Sequence, residues 1–249
     1  MKVGESSGTL PIGATLDEGW RLFLKSLPVI FLPLWIACIV DVAPDTIAGG
    51  GLLTGSFNAM TFIVTIVAWV VESALFGGTI AKLDAFTTGS TLSYKQALRV
   101  GMRAAPAILI GDLLYNIASG IGFLFFIVPG IILGTTLAFF AYAAVLDRKN
   151  MLDALGYSHR LTWPYWWRTS VVISVPAIVL FIYDVVAGWP DIMSAIHQLS
   201  AGGLPSASSL ANPWYDYGFM PLAGGIVWCY VLSVCYLQYR NLKEHAGSH

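Results

Sequence analysis

Apolar residues run along this chain in six blocks, each approaching the length needed to cross roughly 30 Å of hydrocarbon as a helix. They lie near Pro28 to Val42, Phe57 to Ala81, Ala105 to Phe126, Pro129 to Leu146, Trp167 to Gly188 and Tyr217 to Tyr239. The first is short unless it continues the helix before it, and the fourth is short as well. Between the blocks the pattern becomes amphipathic. In "TLDEGWRLFLKSLP", Thr15 to Pro28, a helical projection puts Leu16, Trp20, Phe23, Leu24 and Leu27 on one face. Asp17, Glu18, Arg21 and Lys25 take the other, with Leu22 the exception. Thr15 and Glu18 have the spacing of a capping box, which predicts a helix starting at Thr15.

The same layout returns in "SYKQALRVGMRAAP", Ser93 to Pro106. Ser93 and Gln96 take the capping positions, Tyr94, Leu98 and Met102 form one face, and Lys95, Arg99 and Arg103 the other. A looser third copy begins at Asn150, with Asp153 three residues on, Leu152 and Leu155 apolar, and Arg160 where Lys25 and Arg103 stood. Each copy precedes a pair of apolar blocks and ends near a proline (Pro28, Pro106, Pro164), which disfavours helical geometry in the residue before it and so predicts a bend into the bilayer. The expected fold is an all-α integral membrane protein with six transmembrane helices, three cytoplasmic-side amphipathic interfacial helices and a parallel threefold pseudo-repeat about the membrane normal. Its single membrane domain spans 15–240, in units 15–88, 93–147 and 150–240, between a short disordered tail over 1–14 and a cytoplasmic tail over 241–249.

Composition agrees with this pattern. Of 249 residues, 57% are hydrophobic and 11% charged, against roughly 25% charged in a soluble domain, and mean hydropathy is +0.72. All 13 basic residues fall on one side of the six-helix arrangement, and the opposite loops, near 43–56, 127–128 and 189–216, contain none. The positive-inside rule then places both termini in the cytoplasm. The net charge of −1 conceals this segregation, and no basic cluster interleaved with aromatics suggests nucleic acid. The N-terminal stretch lacks the apolar core of a cleaved signal peptide. Cys38, Cys229 and Cys235 sit in apolar segments as small hydrophobes, without metal-ligand spacing.

Among the acids within the predicted spans, three are singled out: Glu72, Asp112 and Asp184. No Lys or Arg shares their depth, so each must be protonated, solvated in a cavity or hydrogen-bonded. Asp112, Asn116 and Ser119 form one polar stripe, and Glu72 precedes Gly77 and Gly78. Glu72, Asp112 and Asn116 are thus ligand or proton candidates in a cavity between the second and third helices; an interhelical hydrogen-bond latch is the alternative. Arg21, Lys25, Arg99, Arg103, Arg160, Trp163, Trp166 and Trp167 form a basic, Trp-rich collar suited to lipid headgroups. Gly130 and Gly134, a GxxxG after a very short turn, are helix-packing candidates within a hairpin or at a dimer seam. In the last outer loop, "DIMSAIHQLS", Asp191 to Ser200, reads as a short interfacial helix, and "PWYDY", Pro213 to Tyr217, as an aromatic belt. His197 has no partner at ligand spacing, and no HExxH, P-loop or GxSG is present.

The stretch "VPGIILGTTLAFFAYAAVLDRKNMLDALGYSHRLTWPYWWR", Val128 to Arg168, resembles the YciC-like bacterial inner-membrane proteins and the related membrane domain of some glycerophosphodiester phosphodiesterases. The matching residues are Pro129, Gly130 and Ile131, then Ala154, Leu155, Ser158 and Leu161, then Trp163, Trp166 and Trp167. The two diverge after Leu161, where "TWPYWW" stands. The resemblance implies a bacterial inner-membrane protein without established catalytic chemistry and supplies no catalytic residue. The expectation is a non-enzymatic protein that binds or transports a lipid or other amphiphilic small molecule, with membrane lipids as partners and no metal or cofactor. A structural scaffold packing against a partner membrane protein or a second copy is the alternative, and a membrane-embedded lipid-modifying enzyme the weaker one.

Overall fold

The computed structural model describes residues 12–47, 59–200 and 215–247. Among the described residues the regular structure is entirely helical: α1 (Ile12–Ile47), α2 (Ala59–Thr87), α3 (Tyr94–Phe125), α4 (Ile127–Leu137), α5 (Phe140–Leu146), α6 (Met151–Thr162), α7 (Trp166–Ser200) and α8 (Met220–Ala246). A 3₁₀ turn at Trp163–Tyr165 joins α6 to α7, and a π turn at Tyr215–Phe219 leads into α8. Six stretches are long and apolar enough to cross a membrane, the fourth made of α4 and α5 in series. The protein is an all-α, six-span membrane protein.

The three amphipathic copies fold differently from one another. The capping box at Ser93 forms as predicted: the Gln96 amide donates to Ser93 Oγ at 3.3 Å and the Ser93 amide to Gln96 Oε1 at 2.9 Å. Asn150 likewise caps α6 by accepting the Asp153 amide at 3.0 Å. The predicted box at Thr15 and Glu18 is absent. Helix α1 already includes Ile12, and Thr15 is buried, its hydroxyl accepting a hydrogen bond from Asn241 Nδ2 of α8 at 2.9 Å. The predicted tail over 1–14 is therefore helical from Ile12, and the tail over 241–249 is helical to Ala246.

Nor are the first two copies separate interfacial helices, for α1 runs on through Pro28 and α3 through Pro106. At 36 residues, α1 is about 54 Å long, well beyond the roughly 30 Å of hydrocarbon. Its amphipathic start projects from the bilayer as an extension of the span. Prolines are tolerated in such helices where a neighbour satisfies the carbonyl they orphan four residues back. Tyr94 OH donates to the carbonyl of Val29, the partner that Pro33 cannot serve, at 3.0 Å. Tyr215 OH does the same for Val186, four residues before Pro190, at 2.8 Å. Only the third copy, α6, ends before its span, at the Pro164 turn.

Helices α2 and α3 form a hairpin turned by Gly89, whose φ is 72°. Their backbones touch: a Cβ on Gly101 would overlap the Ala74 carbonyl, and one on Gly78 would stand 2.9 Å from the Ala97 carbonyl oxygen. Helix α8 packs along α1 and α7 and carries the fully buried Leu232, Tyr236, Gln238, Tyr239 and Leu242. With Phe139, Tyr142, Ile30, Leu34, Ile80 and Leu83 these residues make the core.

One end of the bundle is charged. Tyr236 OH donates to Asp84 Oδ1 at 2.7 Å, and Arg240 Nη1 lies 3.5 Å from the same oxygen. One helical turn on, Tyr239 and Lys243 hold Asp147 in the same way, Lys243 at 2.5 Å. Asp84 and Asp147 each follow a leucine where the second helix of a predicted unit ends, so α8 grips equivalent points of the first two units.

Candidate functional site

Two of the predicted carboxylates meet within the membrane. Glu72 lies on α2, two residues before the stretch where Ala74, Gly77 and Gly78 press against α3. Asp112 lies on α3, and the two are within electrostatic reach of each other. Among the described residues neither forms an ion pair. Glu72 is half-buried and Asp112 exposed on the bundle surface, where Asn116 Nδ2 donates to the Asp112 backbone carbonyl at 2.9 Å. Ser119, the last member of the predicted stripe, turns inward, and its hydroxyl is buried without a hydrogen-bond partner.

Sequence reasoning missed Asp41. It lies inside the predicted block Pro28 to Val42, exposed on α1, which runs on through Pro44 to Ile47. Glu72 and Cys38 both feel its charge, as does Tyr183 of α7. The polar groups thus extend from α3 across α2 and α1 to α7. Asp184 is exposed on α7.

The fourth span is broken at its centre. Phe139, fully buried, leaves the helical path between α4 and α5, and its amide donates to Ser158 Oγ of α6 at 3.1 Å. The same hydroxyl donates to the Thr136 carbonyl at 2.8 Å. Ala154, Ser158, Leu161 and Thr162 form the buried face of α6, whereas Leu152, placed on the apolar face from the sequence, is 67% exposed. Helix α6 is therefore wedged against α3, α4 and α5. Ser158 and Leu161 belong to the stretch that resembles the YciC-like proteins; their part in closing a helix break is a tertiary property.

The collar residues all point outward. Arg21, Lys25, Arg99, Arg103 and Arg160 are exposed, Arg21 with an i,i+4 pair to Asp17 at 2.9 Å. Trp163 and Trp167 are about half exposed and Trp166 partly buried. His159 lies against the Trp163 ring, and Arg168 over that of Trp167. Gly130 packs the α3–α4 hairpin, since a Cβ there would meet the Phe123 ring and backbone, while Gly134 has ordinary room. The stretch 191–200 continues α7 rather than forming a helix of its own, and His197 is exposed on it. Pro213 and Trp214 of the predicted aromatic belt, with residues 1–11, 48–58 and 248–249, lie outside the described residues. Among the described residues no group of three or more His, Cys, Asp or Glu side chains could hold a metal ion.

These features define a multi-pass helical membrane protein with acidic groups inside its spans and a basic, aromatic end. No protein-family model, curated protein or solved structure matches the chain.

Proposed function

We propose that this is a non-enzymatic protein of the bacterial inner membrane, with both termini cytoplasmic, that binds or transports a lipid or other amphiphilic small molecule. The observation that carries the reading is that Glu72 and Asp112 stand on the adjoining spans α2 and α3, near enough for their charges to influence each other, with no basic residue beside them. Ionisable groups in a span are expensive and mark a ligand or proton path. The resemblance of Val128 to Arg168 to the YciC-like proteins supports the inner membrane. The basic residues gathered on one side support the cytoplasmic placement of that end. The exposed collar from Arg21 to Trp167 would meet headgroups, and the carboxylates would supply polarity to whatever part of the amphiphile enters the spans.

Native mass spectrometry of the protein released gently from detergent tests this. A stoichiometric lipid or small molecule, retained by the wild type and lost on Glu72→Gln with Asp112→Asn in a folded, monodisperse protein, is the expected result. Bare protein, or bound mass indifferent to both substitutions, would overturn it and favour the scaffold reading.

A further inference from the structure

Away from the carboxylates, the turn between α2 and α3 borders an open cleft of about 530 Å³ at the charged end of the bundle. Its lining includes Val29 of α1, Lys82 of α2, Ser90 and Thr91 of the turn, and Ser93 and Gln96 at the start of α3. Lys82 is its one cation. The ammonium donates to the Leu92 carbonyl at 2.8 Å and lies 4.0 Å from the centre of the Tyr94 ring. Those contacts fix its position without neutralising it, and among the described residues no carboxylate pairs with it. This sets Lys82 apart from Arg240 and Lys243, each of which is held by an aspartate.

A half-buried, positioned ammonium that lacks an anion, in a cleft rimmed by hydroxyl and amide groups, has the chemistry of an anion site. The lining contributes no carboxylate to repel one, and the positive end of the 32-residue α3 faces the same space. The size is within the range of small-ligand clefts and the position is that of the membrane interface, because the amphipathic starts of α1 and α3 flank it.

We propose that this cleft binds a phosphate-bearing anion, with Lys82 as its charge partner. A membrane lipid headgroup and a small soluble phosphate share this chemistry. The site is separate from Glu72 and Asp112, and rests on the function proposed above only for the idea that a lipid is the source.

The test is native mass spectrometry in a mild detergent, titrating phosphatidylglycerol, phosphatidylcholine and glycerol 3-phosphate against wild type, Lys82→Gln and Thr91→Glu. Thr91→Glu puts a negative charge in the cleft from an exposed position and leaves Lys82 and its contacts in place, so it reports on binding even if Lys82→Gln misfolds. One equivalent of phosphatidylglycerol should be retained in preference to phosphatidylcholine, and either substitution should weaken it at least about tenfold, the worth of one charge-assisted contact. Glycerol 3-phosphate binding as tightly as the lipid would support the site with a soluble source. A phosphatidylglycerol equivalent lost with Glu72→Gln and Asp112→Asn but kept with Thr91→Glu would belong to the intramembrane site and would overturn the proposal. So would the absence of any anion preference in the wild type.

Discussion

Ser158 closes the break that Phe139 makes in the fourth span, accepting the Phe139 amide at 3.1 Å from a helix nineteen residues further along the chain. Both residues are fully buried. Without the hydroxyl, the Phe139 N–H and one acceptor position of Thr136 lose their partners where no water reaches. Ser158→Ala should cost about 1–3 kcal/mol, the usual penalty for an orphaned buried group. Thermal unfolding in detergent checks this. A variant as stable as the wild type would show that the break is satisfied some other way.

The α2–α3 contact predicts a contrast among small residues. Gly101→Ala would drive a methyl into the Ala74 carbonyl and the Gly78 amide, both backbone atoms of a packed helix. Overpacking typically costs about 1–3 kcal/mol and more where the obstacle cannot move, so this variant should lose most of its monodisperse yield. Gly134→Ala, whose new Cβ finds its nearest neighbours at 3.8 Å, should behave as wild type on size-exclusion chromatography. Equal yields for the two would mean that the helices are further apart than described.

The two aspartates at the charged end are gripped alike but buried unequally. Asp147 is 19% exposed and Asp84 33%. Replacing Asp147 with Ala strands Tyr239 and Lys243 in the drier setting, and should cost about 1–3 kcal/mol. Asp84→Ala should cost less, because Arg240 is the more exposed cation and Tyr236 OH keeps Thr87 Oγ1 as a partner at 2.6 Å. Chemical or thermal unfolding of the two variants side by side gives the order, and a reversal would sink the argument from burial.

The bond from Tyr94 to the Val29 carbonyl exists because Pro33 has no N–H to offer it. Tyr94→Phe should cost about 0.5–1.5 kcal/mol in the wild type. In a Pro33→Ala background the helix supplies its own donor, so the same change should cost clearly less. The double-mutant cycle isolates that difference, and full additivity would mean that the hydroxyl serves another purpose.

The reach of sequence reasoning can be seen at particular residues. The caps at Ser93 and Asn150 are readable because a side chain three residues from its acceptor needs nothing distant. Thr15 has the same local pattern, but burial against Asn241 of α8 gives its hydroxyl a partner 226 residues away. Pro28 and Pro106 suggest bends because the helical rules for water penalise them, whereas α1 and α3 run on through both. Glu72 and Asp112 can be singled out as costly groups, but their standing on adjoining helices depends on how α2 packs against α3 through Gly78 and Gly101. Asp41 lies inside the predicted block Pro28 to Val42 but one residue from its end, where an acid reads as interfacial; only the packing of α1 brings it near Glu72, Cys38 and Tyr183.

The order of polar and apolar residues alone determined six spans, the segregation of basic residues and the starts of α3 and α6, since each depends on transfer into hydrocarbon or on contacts within one helical turn. Tertiary structure decided the rest: the merging of amphipathic segments into α1 and α3, the break at Phe139, the grip of α8 on Asp84 and Asp147, and the unpaired Lys82 in its cleft. Those features arise from contacts between residues far apart in the chain, where backbone groups barred from water take whichever partner packing brings within reach.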